Sequence, residues 1–238
     1  MAEQTISKNN GLIDAMFKAG AHFGYQKSRR NASIAPYIFG LKNKVEIIDL
    51  EKTADDLLKA QEFVKEIAKL GKQILFVGSK NEAKDLVKLG AMSIDMPYVA
   101  GRWIGGAITN AVEIKKRIAK FEDLQKQKEK GELSKYTKKE RLLIDREIEN
   151  LEEMFSGIVS MRELPKALFV IDPKKEFIAV AEAKKAGIPV IALLNTDCDI
   201  KDIDYPIVGN DSSMSSISFF ISEIVKAYKE GSSHRLKS

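Results

Sequence analysis

The sequence predicts an α/β fold built on a parallel sheet, and three observations carry that prediction. The runs "QILFVG", "ALFVID" and "IPVIALL" are apolar throughout, which is how strands covered on both faces read. The first two lead directly into segments with apolar residues three and four apart, and the third reaches one after an Asp-rich loop; strands alternating with helices form βαβ units. The 238 residues, 44% of them hydrophobic, suffice for one sizeable core with something left for an insertion.

Taken in order, an apolar-periodic segment around Leu12 to Ala19 is followed by "YIFGLKNKVEIIDL", which reads as two short strands. "KTADDLLKAQEFVKEIAKLG" is an amphipathic helix ending at Gly71, "QILFVG" a buried strand, and "SKNEAKDLVKLG" a helix. Late in the chain "ALFVID" precedes the helical "EFIAVAEAKKAG", and "IPVIALL" precedes the Asp-rich loop and the helix "SSISFFISEIVKAY". Only the stretch from about 111 to 156 departs from this alternation. It is dense in charge, with Ile114, Ile118, Phe121 and Leu124 on one arm and Ile144, Ile148, Leu151 and Phe155 on the other. Those spacings make a narrow apolar seam, and Gly131 lies where the chain must reverse, so an antiparallel coiled-coil hairpin is expected. The predicted organisation is a discontinuous α/β domain over 1–110 and 156–228, a hairpin over 111–155 and a flexible tail over 229–238.

Composition narrows the function classes. Thirty-nine Lys and Arg against 34 acids give a charge of +5, which permits a polyanionic partner without requiring one. One cysteine, Cys198, excludes an intramolecular disulfide and suits the reducing cytosol. The N-terminal "MAEQTISKNN" lacks the apolar core of a signal peptide, and no run is long enough to span a membrane, so a cytoplasmic protein is expected. With two histidines, His22 and His234, structural zinc would lack its usual ligands.

The glycine-rich "GRWIGGAITN" raises the question of a bound phosphate, because a glycine loop opening into a helix is a common anion site. Neither the dinucleotide string G-x-G-x-x-G nor the P-loop string occurs, and "VGSKNEA" has a single glycine, Gly78. Ser79, Ser213 and Ser216 have no evident histidine base. The cluster Asp197, Asp199, Asp202 and Asp204 could hold magnesium, but turns and helix caps favour the same residues. The expectation is therefore no enzyme, no cofactor and no metal. Lys27, Arg29, Arg30, Lys42 and Lys44, by contrast, stand among Phe23, Tyr25, Tyr37 and Phe39. Cations neutralise phosphates and flat rings stack on unpaired bases, so this loop suits RNA, although a solvated loop over core aromatics would look similar.

The ordered set "AGAHFGYQ", "IIDLEKT", "ILFVGSK", "RWIGGAITN", "LPKALFVID", "IPVIALLNTD" and "GNDSS" resembles the bacterial small-subunit ribosomal proteins of the S-two family along nearly the whole chain. The resemblance implies a flavodoxin-like sheet with a projecting coiled coil and no catalytic activity. It also implies a place on the small subunit touching ribosomal RNA and neighbouring proteins, and helping to anchor the S-one family protein that recruits messenger RNA. It makes Arg29, Arg30, Asn31, Arg102 and Trp103 the RNA-facing or interface-forming positions. Trp103 has two readings, a buried anchor at the hairpin root or an interface stacking surface. Four departures stand out. Tyr25 stands where the family often has His, and Asn195 and Ser212 where it often has Asp; a metal or interface site built on those groups would be lost. "RRNA" also has Arg30 where relatives often carry Trp, which adds charge and removes a ring. The competing readings are a nucleotide-binding α/β enzyme and a coiled-coil adaptor without RNA contact.

Overall fold

A computed structural model describes residues 11–161 and 163–235; the first ten residues and the last three of the tail lie outside the described residues. A helix over 11–18, α1, leads into β1 (Phe23–Gln26), and two short 3-10 segments lead to β2 (Ile38–Lys42) and β3 (Val45–Ile48). These three strands form an antiparallel sheet in the order β1-β3-β2. Asn43 and Lys44 both take positive φ, 51° and 66°, which matches the right-handed twist of a tight hairpin and exposes both side chains.

The chain then alternates as its apolar runs predict: α2 (Leu50–Lys69), β4 (Ile74–Val77), α3 (Asn81–Met92) and β5 (Tyr98–Val99), followed after the charged stretch by β6 (Ala167–Ile171), α6 (Phe177–Lys185), β7 (Val190–Leu194), β8 (Tyr205–Val208) and α7 (Met214–Arg235). The five strands β4 to β8 are parallel, in the order β5-β4-β6-β7-β8. In order of appearance this is 2-1-3-4-5, the flavodoxin-like winding, whose order reverses between β4 and β6.

Both faces of this sheet are covered, which explains the uniformly apolar runs. Ile74, Phe76, Phe169, Ile171, Ile191 and Leu193 turn toward α2, α3 and α7, and Phe76 meets Phe169 edge-on at 5.4 Å between ring centres. Leu75, Val77, Leu168, Val170, Ala192 and Leu194 turn toward α6, Ile34 before β2 and Ile48 at the end of β3, and Trp103, Ile114 and Phe155.

Between the two halves of the sheet, α4 (Ala111–Glu129) and α5 (Lys138–Phe155) pack along one another. Lys120 pairs with Glu147 and Lys128 with Asp145, so the second helix runs back along the first. Thr137 and Glu140 start α5 with a reciprocal capping box. All eight seam residues are buried or half-buried, while Val112, Leu142, Leu143 and Met154 stay exposed.

The expected tail begins inside a helix. Residues 229–235 continue α7, because a close helix crossing holds them. A Cβ on Gly231 would lie 2.6 Å from the Lys65 carbonyl oxygen and 2.7 Å from Ala68 Cβ, so glycine is what lets α7 settle on α2.

Phe76→Ala should lower stability by about 3–5 kcal/mol, read as a lower urea midpoint with an unchanged slope. A loss below about 1 kcal/mol would mean that the sheet face under α2, α3 and α7 is not close-packed.

Candidate nucleic-acid interface

The loop "GRWIGGAITN" does enclose an anion, and the anion is part of the chain. Glu182, on the apolar side of α6 beside Ala179 and Ala183, is 9% exposed. Its Oε1 accepts from the Trp103 indole N–H at 3.1 Å and from the Gly106 amide at 2.7 Å. Its Oε2 accepts from the Ile108 amide, the Thr109 amide and the Thr109 hydroxyl, at 3.1, 3.2 and 3.1 Å. Gly106 takes a φ of 88°, which turns the loop so that successive N–H groups converge. Burial pushes the Glu182 carboxyl up, and the donors from Gly106, Trp103, Thr109 and Ile108 more than reverse this, leaving it below the ordinary 4.5. Trp103 is 6% exposed with its N–H engaged, so of its two readings the structure has the buried anchor. Asn110 stands at the cap position of α4 but its side chain makes no capping bond, and the Thr109 hydroxyl is taken by Glu182.

The other turn, "VGSKNEA", is filled the same way. Glu176, 3% exposed at the start of α6, accepts from the Ser79 amide at 3.0 Å and from the Ser79 hydroxyl. Beside it Lys80 Nζ bridges Asp172 and Asp211, 2.7 Å from each. Burial pulls its ammonium down, but the two carboxylates win and its pKa rises. Asn195 donates to Asp211, and the Ser212 hydroxyl donates to Asp211 and meets the Tyr25 hydroxyl at 2.6 Å. Three of the four positions that depart from the family pattern, Tyr25, Asn195 and Ser212, thus meet in one hydrogen-bonded cluster around Asp211.

The four aspartates of the Asp-rich loop are engaged in structure. Asp197 pairs with Lys174 and Asp202 with Lys184; Asp199 accepts from the Lys201 amide and Asp204 from the Val190 amide. His22 lies between the rings of Phe17 and Phe23, and its buried Nδ1 has no hydrogen-bond partner among the described residues. Burial and then Lys42 lower its pKa.

The basic segment divides. Lys27, Arg29, Lys42 and Lys44 are exposed, and so is Arg102 in the glycine loop. Register gathers the lysines, because Gln26 and Lys42 both face Val45 from opposite sides, so Lys27, Lys42 and Lys44 crowd one end of the small sheet within about 10 Å, two strand spacings. Arg29 lies over the Tyr25 ring at 5.5 Å. Phe23 and Phe39 are exposed nearby, Phe39 at 80%. Two residues read from sequence with this group have other work. Arg30 pairs at 3.2 Å with Glu46, which is 1% exposed, and Asn31 caps the following 3-10 turn by accepting from the Ser33 amide and hydroxyl. Sequence reasoning missed Glu182, Glu176 and Glu46; the one available signal was a glutamate among alanines on the buried side of a helix, "AVAEAKK".

Both glycine turns are closed by the chain's own carboxylates, Glu182 and Glu176, and cations face outward at one sheet end. That combination defines an α/β protein on a parallel sheet whose turns are closed from within and whose small sheet carries a basic face. The family model described as Ribosomal protein S2 matches residues 16–231, and the chain belongs to that family. Similar relatives include the small ribosomal subunit protein uS2 of Roseiflexus castenholzii, 44% identical over 221 residues, 93% of this chain and 84% of the relative. The protein of the same name from Nitratiruptor sp. is 44% identical over 216 residues, covering 91% and 81%. No described helix is long and apolar enough to cross a membrane.

Glu182→Gln should cost about 3 kcal/mol, since one amide cannot accept from all these donors and its own N–H₂ opposes some of them. The lowered pKa means Glu182 contributes fully above 4.5 and loses that contribution as pH falls through its folded value. The stability gap between wild type and variant, measured by urea melts, should therefore be constant near neutral pH and shrink as the solution is acidified below 4.5. A gap that widens on acidification would refute the assignment.

Proposed function

We propose that this chain is a structural constituent of the small ribosomal subunit, working in the cytoplasm, and that it binds ribosomal RNA through the end of the three-stranded sheet. The observation that carries the reading is the cluster of exposed Lys27, Arg29, Lys42 and Lys44 beside the exposed rings of Phe23 and Phe39, in a chain of this family. Cations of this kind set affinity through phosphate neutralisation, and the rings accept unpaired bases. The same reading divides the chain into the α/β body and an arm over 111–155 that meets neighbouring proteins, supported by the exposed Leu142, Leu143 and Met154 off the apolar seam. It includes a contact that helps hold the S-one family protein. Particles assembled without this chain should then carry less of that protein on sucrose gradients.

Arg29→Ala with Lys42→Ala should weaken binding to small-subunit RNA and reduce the log-log salt slope by about 1.5, at roughly 0.7–0.9 per lost phosphate contact. Stability should change by less than about 0.5 kcal/mol for each exposed change. Arg30→Ala should instead lose about 2–3 kcal/mol, because it leaves the Glu46 charge buried without its partner, the partly exposed arginine placing it at the low end. Equal stability losses in the two variants would undo the division between exposed and engaged arginines.

A further inference from the structure

We propose that the crevice between the two glycine turns is a phosphate subsite, and that the phosphate it takes belongs to an RNA strand. The proposal deepens the RNA-binding reading above and rests on it for the source of the phosphate. The cavity, about 380 Å³, is lined by Ser79 and Lys84 from the β4 side, Arg102 and Trp103 from the glycine loop, and Lys175 and Glu176 from the β6 side. It lies outside the carboxyl ends of β4 and β6, where the strand order reverses, the position at which parallel α/β sheets accommodate ligands.

Charge is distributed unevenly along this end of the sheet. Toward β7 and β8 the lysines at this end meet acids: Lys80 bridges Asp172 and Asp211, and Lys174 holds Asp197. Around the crevice Lys84, Arg102 and Lys175 are all exposed, and Lys175 Nζ donates to the Ser79 carbonyl oxygen at 3.1 Å. The only acid in the lining is Glu176, which is buried and turned onto Ser79. Three cations thus converge on a concave site that supplies no anion to face them, an arrangement that favours a polyanionic ligand.

The buried donors select which kind of phosphate fits. The Ser79 and Gly106 amides, which a nucleotide phosphate would need to sink into the turns, are already bonded to Glu176 and Glu182. What remains for a ligand is a ring of flexible side-chain cations at the rim, with Ile178 exposed at 43% beside them. Rim cations suit the phosphates of a strand passing over the surface, which are held by charge and without base reading.

Trp103 is the only tryptophan and lines the crevice, so its fluorescence reports the site directly. The full chain is titrated at low salt with a small-subunit RNA fragment, and separately with inorganic pyrophosphate, in wild type, Lys84→Gln/Lys175→Gln and Lys42→Gln/Lys44→Gln. The RNA should change the Trp103 signal and pyrophosphate should compete with it. The crevice variant should bind RNA at least tenfold more weakly, with a salt slope lower by about 1.5, and lose the pyrophosphate response. The sheet-end variant should weaken RNA binding and keep the pyrophosphate response. Salt-dependent RNA binding with a silent Trp103, or an unchanged slope in the crevice variant, overturns the subsite and leaves the sheet-end reading standing. If wild type binds no RNA, the RNA reading itself fails. A pyrophosphate response abolished by the crevice variant would then assign the subsite to free phosphate, and no response would remove the subsite as well.

Discussion

Glu182 takes donors from Trp103, Gly106, Ile108 and Thr109 onto one buried carboxylate, and much of the molecule hangs on that contact. The charge is tolerable inside only because each oxygen accepts several hydrogen bonds. In return it fixes the path of a glycine-rich loop that has few apolar side chains of its own to pack. Trp103 is thereby pinned under the sheet, and the chain is delivered to the start of α4, where Ile114 joins the same core as Trp103 and Phe155. The path of the chain into α4 is therefore fixed by a glutamate far away in sequence. Glu176 does the equivalent work for the β4 turn, so one short helix, α6, supplies the internal anion for both turns.

This arrangement accounts for a flavodoxin-like winding without nucleotide chemistry. Amides that converge at the carboxyl ends of parallel strands are an anion site waiting for a ligand, and here two side chains are the ligand. Closing the site from within removes the need for a cofactor to hold the loops, and it gives the carboxyl ends of β4, β6, β7 and β8 a standing bond network through Lys80, Asp172, Asn195 and Asp211. Cations that would otherwise be drawn toward those acids remain available at the surface, on the small sheet and around the crevice.

Legibility in the sequence follows how local each cause is. The strands β4, β6 and β7 were readable because their burial on both faces leaves an uninterrupted apolar run. Missing from that reading were β1, β5 and β8: β5 has two residues, and β8 is an edge strand carrying Pro206, where the lost N–H is harmless. The basic residues were legible by type, yet their division was not. Arg30 and Glu46 meet only because β1 and β2 flank β3, and nothing within either segment marks Glu46 as buried. Glu182 was hidden for the same reason on a larger scale, since its donors lie 73 to 79 residues away.

The cluster around Asp211 shows the same dependence among positions. Tyr25 comes from the small sheet, Asn195 from the end of β7 and Ser212 from the segment after β8. Burial pushes the Asp211 carboxyl up, Lys80 pulls it back, and the neighbouring Asp172 raises it again, so the site already holds as much negative charge as one lysine can balance. A further carboxylate at 195 or 212 would need an added cation close by, and a tyrosine at 25 carries no positive charge at neutral pH. A neutral amide and a hydroxyl satisfy Asp211 without adding charge, and the Tyr25 hydroxyl then closes on Ser212, tying the small sheet to the parallel one. The three residues are thus consistent with one another: Asn195, 1% exposed, satisfies Asp211 in the buried part of the cluster, where an added charge would be uncompensated, while the Tyr25–Ser212 contact closes its exposed rim.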